Sequence, residues 1–149
     1  MIREAVVEDI PYIIELGREM VEEGRYRHII YSEERTEHFV QGYIESPNRL
    51  LLVSEIKGRI CGFFFGFIER FNFSYDIFAS EELWYMQKNS RGKRDGALMI
   101  KKFIEWGKMR GVAELQVTIT LCVDNKKASK VVNAFGFVSE GEVHKMRLV

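Results

Sequence analysis

From Lys88 to Ala97 the chain reads Lys-Asn-Ser-Arg-Gly-Lys-Arg-Asp-Gly-Ala, which places Lys88, Arg91, Lys93 and Arg94 within seven residues and glycines at 92 and 96. An anion site needs several backbone N–H groups aimed at one point. A loop that turns directly into a helix supplies them, together with the positive end of the helix dipole. Phosphate is the ligand that such a basic loop would hold. The stretch is not a P-loop, since no Gly-Lys-Ser or Gly-Lys-Thr follows, and it does not fit the dinucleotide fingerprint. By composition alone, a solvated basic loop accounts for it equally well. Other chemistry-bearing residues are scattered. His28, His38 and His144 have no cysteine or acidic partners at ligand spacing, so no metal site is expected. Cys61 and Cys122 sit in apolar runs, where a thiol behaves as a small buried hydrophobe and no disulfide is expected.

Such a loop needs a strand to deliver it and a helix to receive it. Residues 83–87 read as the strand, and Met99, Ile100, Phe103, Ile104, Trp106 and Gly107 give the helix its apolar face. Upstream, residues 2–6 read as a short strand. Glu8-Asp9 then opens a helix that tolerates Pro11 in its first turn, carries Ile10, Ile13, Ile14, Gly17, Met20 and Val21 on one face, and stops at Gly24. Ser32 caps a second helix that begins with Glu33 and Glu34, ends near Glu45 and is broken by Ser46-Pro47-Asn48. Residues 50–56 and 59–68 form a hairpin across Lys57-Gly58, with Phe63, Phe64, Phe65 and Phe67 on both faces as in a strand covered on both sides. After the loop and its helix, residues 113–123 read as a strand. Residues 125–135 read as a helix with Ala128, Val131, Val132 and Phe135 on one face, and residues 137–148 as a last extended stretch. The expected order is βααβββαβαβ.

The chain has 149 residues, enough for one domain spanning 1–149. Lysine plus arginine and aspartate plus glutamate both number 22, so the net charge is zero and no global field draws the protein to nucleic acid or a membrane. A nucleic-acid partner is disfavoured and no membrane association is expected. The N-terminus lacks the pattern of a signal peptide, and the longest apolar run, residues 60–68, is too short to span a bilayer. A soluble, cytoplasmic protein is the expectation. Phe71, Phe73, Tyr75 and Phe78 alternate with polar residues, which fits a sheet extension, the wall of a pocket or a homodimer contact, with the last two favoured.

Arg91-Gly92-Lys93-Arg94-Asp95-Gly96 resembles the signature of the GCN5-related N-acetyltransferases: Gln or Arg, two residues, Gly, one residue, then Gly or Ala, between the fourth strand and the third helix. The resemblance covers the whole chain. Ile2-Arg3-Glu4-Ala5 with Asp9-Ile10 is similar to the family's opening strand and helix, and Lys57-Gly58-Arg59-Ile60-Cys61-Gly62-Phe63 to its second hairpin. Asn125, Ala128 and Phe135-Gly136-Phe137 are similar to its late helix ending in Gly-Phe. The fold implied is an α/β (α+β) one, a mixed, mostly antiparallel sheet flanked by helices and splayed where the coenzyme enters. Arg94 stands in the place of the first signature glycine, where a left-handed backbone would be costly for a side chain, while its guanidinium could meet a pyrophosphate.

The resemblance implies transfer of an acetyl group from acetyl-coenzyme A to a primary amine of a small molecule or protein. It implies that Arg91, Gly92, Lys93, Arg94, Asp95, Gly96, Ala97 and Asn125 hold the coenzyme, and that the backbone N–H of Met86 polarises the thioester carbonyl. A free amine has a pKa of about 10.4 and needs a base. Glu82 is the candidate, because a period of two puts Glu82, Trp84 and Met86 on one face of a strand that Glu81 and Glu82 precede. The tyrosine that many members use to protonate the leaving thiolate falls at Val132 here, so that acid is absent. Tyr85, Ser129 and Cys122 are the substitutes in reach of the sequence. Gly24 to Tyr31 borders the acceptor pocket in the family, and its aromatics and cations suit a polar or acidic acceptor. Arg94 and Val132 also motivate an alternative, a catalytically silent domain that binds coenzyme A or regulates.

Overall fold

Lys57 and Gly58 both hold positive φ, 52° and 75°, the conformation of a two-residue turn whose twist matches the strands it joins. In the computed structural model, which describes residues 1–121 and 123–149, this turn links the two strands at the centre of the fold. The elements in chain order are β1 (Ile2–Glu4), α1 (Ile10–Glu23), α2 (Glu33–Glu45), β2 (Arg49–Ile56), β3 (Arg59–Arg70), β4 (Ile77–Met86), α3 (Arg94–Arg110), β5 (Glu114–Gln116) and α4 (Asn125–Ala134). The strands lie in sequence order in one sheet, antiparallel throughout except for the parallel pair β4 and β5.

Period-two alternation along β3 sends side chains into two cores. Phe63 and Phe65 meet Ile13, Met20, Val40 and Tyr43 of α1 and α2 on one face. Phe64 meets Met99, Ile100 and Phe103 of α3 on the other. The aromatic run that pointed to a strand covered on both sides is such a strand. Ser32 caps α2 as its residue type predicts, its Oγ accepting from Arg35 N–H at 3.1 Å. Gly24 ends α1 with φ −89°, so its role is not a left-handed cap. A Cβ there would meet the Leu121 carbonyl oxygen at 2.6 Å, and Arg25 N–H donates to that same oxygen at 3.2 Å.

Three expectations are corrected. The fourth strand begins at Ile77 and not at Leu83, because Phe71 N–H bonds back to Asp76 O (3.1 Å) and closes a turn that leads straight into Ile77 and Phe78. Phe71–Phe78 is therefore this turn plus the start of β4, with Phe73 and Tyr75 exposed. Among the described residues, the strand expected over residues 113–123 pairs only at Glu114–Gln116, since the chain then leaves β4 for the end of α1. Residues 137–148 form no strand. Phe137 N–H turns back to Val132 O at 3.2 Å, and the side chains beyond it stay exposed, so their alternation has no face to bury.

Arg3 of β1 grips Asp9, just before α1, with both ends of its guanidinium (Nη1 to Oδ2 2.7 Å, Nη2 to Oδ1 2.9 Å), and Val6 N–H donates to the same carboxylate at 2.9 Å. The guanidinium holds the largely buried Asp9 carboxyl below its usual range. The resulting stability is complete above the unfolded carboxyl's pKa of about 3.9 and is lost as pH falls through the lower folded value. Asp9→Asn is expected to cost about 2 kcal/mol near neutral pH, as hydrogen bonds to a charge do. The gap from the unmodified protein should close on acidification below pH ~4, measured by urea melts across pH.

Candidate functional site

The β4–β5 ladder ends at Ser80 and Gln116, and beyond it, among the described residues, no strand pairs with that edge of β4. Which groups line that edge follows from hydrogen-bond alternation. Gln87 N–H donates to Cys61 O at 2.8 Å, toward β3, so in an antiparallel pair the neighbouring Gly62–Met86 pair points its N–H and C=O groups the other way. The backbone N–H of Met86, and by the same alternation that of Trp84, therefore lies on the open edge. The Met86 carbonyl does too, and it accepts from Arg91 Nε at 2.7 Å.

The register of β4 against β3 slips between Leu83 opposite Phe65 and Glu81 opposite Gly66, which makes Glu82 the extra residue of a β-bulge. The expectation that Glu82, Trp84 and Met86 share a face is corrected by this slip. Trp84 and Met86 pack on the α3 side with Ala79, whereas Leu83 and Tyr85 pack on the α1–α2 side. Glu82 joins that second side. Its carboxylate accepts from Tyr43 OH and lies 3.7 Å from Arg49 Nη1, with 39% of the side chain exposed. Glu81 is only 6% exposed. Its Oε2 accepts from Thr118 N–H at 3.0 Å, which places this carboxylate where β4 and the chain after β5 part. Burial raises its pKa to about 7, with the charge of Glu82 adding to the rise and the Thr118 N–H opposing it. Sequence reasoning passed over Glu81 by taking the glutamate pair as a strand start. The apolar Ile77, Phe78 and Ala79 before the pair are the signal that it lies inside a strand.

At the end of β4 the basic loop enters α3. Gly92 takes the left-handed conformation (φ 74°), Lys93 is the N-cap and Arg94 is the first helical residue. The strain expected at Arg94 does not arise, because the left-handed position falls on a glycine two residues earlier. Lys93 gives no side-chain cap, so it leaves the first N–H groups of α3 free of that partner. Asp95 turns its carboxylate back to Ser54 Oγ (2.5 Å) and the N-terminal ammonium (3.5 Å), which ties the helix start to β2. Gly96 lies against Trp84, whose Cζ2 would be 3.5 Å from a Cβ, and the buried Trp84 Nε1 has no acceptor among the described residues. Ala97 follows in the first turn of α3, and Asn125 opens α4.

Arg91 is engaged inside the protein. Besides Met86 O it binds both carboxylate oxygens of Glu23 at the end of α1, with Nη2 to Oε2 at 2.5 Å, and its guanidinium lies over the Tyr85 ring at 5.4 Å. Tyr85 OH donates to the same carboxylate at 2.8 Å, and Arg91 holds Glu23 below the usual carboxyl range. Burial and the bond to Glu23 raise the Tyr85 phenol. Sequence spacing carries no sign of this clamp, whose partners are 68 residues apart. Val132 is 5% exposed, packed in the α3-side core. Cys122 lies outside the described residues.

No protein-family model matches the sequence, and no curated protein matches it. Solved structures do match over nearly all of it. A transcriptional regulator from Bacillus halodurans C-125 is 20% identical, with 99% of each chain covered and a TM-score of 0.79. A predicted acetyltransferase with acetyl-CoA from Clostridium acetobutylicum is 16% identical over 99% of this chain and 96% of its own, at 0.77. A ribosomal-protein-alanine N-acetyltransferase from Brucella melitensis biovar Abortus 2308 is 14% identical over 99% and 98%, at 0.76. The mixed five-stranded sheet with its flanking helices is thus the fold that the sequence resemblance implied, that of the GCN5-related N-acetyltransferases.

Proposed function

We propose that the protein is an acetyltransferase that moves an acetyl group from acetyl-coenzyme A to a primary amine, within one domain. One observation carries this reading: the open edge of β4 runs from a buried carboxylate near neutral pKa to the start of α3, where the N-cap offers no side-chain cap. The residues present fit the coenzyme. The first-turn N–H groups of α3, with Gly92 and Gly96 keeping side chains away, suit a pyrophosphate, and the exposed Lys93 and Arg94 add charge there. The orphaned Trp84 Nε1 and the Met86 N–H offer donors along the strand. When bound, acetyl-coenzyme A supplies the acyl group as an activated thioester. The acetyltransferases among the similar structures, one of them named with acetyl-CoA, support the same reading.

Within this reading Met86 N–H is the donor for negative charge that develops on a carbonyl oxygen, and Glu81 is the base. A base with a pKa about 7 is half ionised at neutral pH, and the Thr118 N–H stabilises the ionised form. Glu82, paired with Tyr43 and Arg49, raises the Glu81 pKa and faces the acceptor side. Arg91 holds the loop against α1 and leaves the anion to the backbone. With Val132 in the core, the leaving thiol departs without a tyrosine acid, which a thiol pKa of about 8.5 permits.

Acetyl-coenzyme A is expected to raise the melting temperature, and at a hundred times Kd the gain is about 2.7 kcal/mol. Gly96→Val should abolish the shift by crowding the start of α3 and Trp84. An unmodified protein that does not respond at millimolar ligand sinks this reading, and a response without thiol release in a wide panel of amines supports the silent binding domain instead.

Glu81→Gln is expected to lower amine-dependent thiol release ~100-fold or more, the usual cost of losing a general base, and Glu82→Gln much less. The same variant separates chemistry from stability. Because the folded Glu81 binds its proton more tightly than the unfolded chain does, its contribution is complete below the unfolded pKa of about 4.3 and is lost as pH rises through about 7. Glu81→Gln should therefore melt higher than the unmodified protein above pH ~7, by up to ~3 kcal/mol, and match it near pH ~4.

A further inference from the structure

Leu50, Leu52 and Ser54 follow one another at a period of two along β2 and face α3. The two leucines pack into the α3-side core, so the pattern calls for a third apolar side chain at 54. A serine stands there instead, with 0% exposure. A buried hydroxyl is costly unless it is bonded, and among the described residues the Ser54 Oγ bonds to one group, the Asp95 carboxylate, at 2.5 Å. The sheet is shaped to bring the two together. Ser54 pairs with Gly62 and Gly62 with Met86, which makes a row across β2, β3 and β4 beneath the start of α3. Gly62 leaves Met86 its place in that row, since a Cβ there would collide with Met86 Sδ. At the end of the row, Met86 Cγ would be 4.0 Å from a Cβ on Gly96.

Asp95 is the second residue of α3, and an acid at that place has other partners in reach: the first-turn N–H groups and the positive end of the helix dipole. Those are the groups that the acetyl-transfer reading gives to the coenzyme's pyrophosphate. A carboxylate folded onto them would occupy the donors and repel an incoming phosphate. Ser54 draws it the other way, down onto the sheet, where the N-terminal ammonium lies 3.5 Å from the same oxygen. Resting on the acetyl-transfer reading, we propose that Ser54 is a positioning residue for coenzyme binding: its hydroxyl holds the Asp95 carboxylate away from the first turn of α3, and so keeps the helix's own anion from competing with the ligand's. Asp95 itself then carries no phosphate. Its bond to Ser54 decides how well the first turn can.

A double-mutant cycle on the full chain, read by calorimetric titration with acetyl-coenzyme A, tests this. Ser54→Ala should raise Kd ~3–30-fold, the weight that an anion at a helix N-terminus carries. Asp95→Asn, which keeps the shape and loses the charge, should lower Kd ~2–5-fold. Ser54→Ala combined with Asp95→Asn should bind as tightly as Asp95→Asn alone, because without the carboxylate there is nothing to hold back. A serine that only fills space beneath α3 predicts the same loss in both backgrounds. Melting each variant without ligand reports the fold, and Ser54→Cys, a weaker donor of similar shape, carries the test if Ser54→Ala does not fold. Equal losses in the two backgrounds, or a Kd that Ser54→Ala leaves unchanged, overturn the positioning role while the acetyl-transfer reading stands. If the cycle comes out as expected and no amine in a wide panel draws thiol release, acetyl transfer fails and the positioning role stands. An unmodified protein that does not bind acetyl-coenzyme A at millimolar concentration overturns both.

Discussion

The parting of β4 from the chain that follows β5 is the constraint on which the rest depends. A parallel ladder continued past Ser80 would occupy the β4 edge and leave no backbone donor for a ligand. Two local features hold the strands apart. The bulge at Glu82 disturbs β4 just after the last paired residue, and the Glu81 carboxylate takes the Thr118 N–H that a strand carbonyl would otherwise accept. Gly24 then admits the Leu121 carbonyl against the end of α1, so the departing chain is anchored away from β4.

Once the edge is open, its two ends must be held at fixed separation. Glu23 ties the end of α1 to Arg91, which returns to Met86 O, and Asp95 ties the start of α3 to Ser54 of the central hairpin. Both clamps join a helix end to the sheet with a carboxylate: the first reaches the open edge through Arg91 on Met86 O, and the second is fixed to β2, on the other side of β3 from β4. The basic loop is consequently less basic than its composition implies. Arg91 is neutralised by Glu23, leaving Lys88, Lys93 and Arg94 as the exposed cations at the head of α3.

Much of the fold was legible in the residues because it rests on local rules. The amphipathic repeat of α1, the Ser32 cap, the Lys57-Gly58 turn and the phenylalanines of β3 each state a short-range preference that the packing keeps. What escaped the sequence depends on long-range geometry. A bulge changes the facing of every residue beyond it, so strand parity counted through Glu82 fails although each residue fits a strand. Phe137 to Leu148 alternates suitably for a strand, but alternation yields a strand only where a neighbour and a buried face exist, and here those side chains remain exposed. The Glu23–Arg91 clamp, between an amphipathic helix and a loop, has no local pattern at all.

Two carboxylates show how this chain balances stability against the site proposed for acetyl transfer. Asp9 is buried with a guanidinium and a backbone N–H, so its charge is more stable folded than unfolded. Glu81 is about as buried but has one N–H donor and a like charge nearby, so its charge is less stable folded than unfolded. A core chosen for stability alone would place an apolar residue or a paired acid at 81. The destabilised carboxylate persists at the one point where β4 opens, and the proton affinity that burial gives it there is what proton transfer near neutral pH requires.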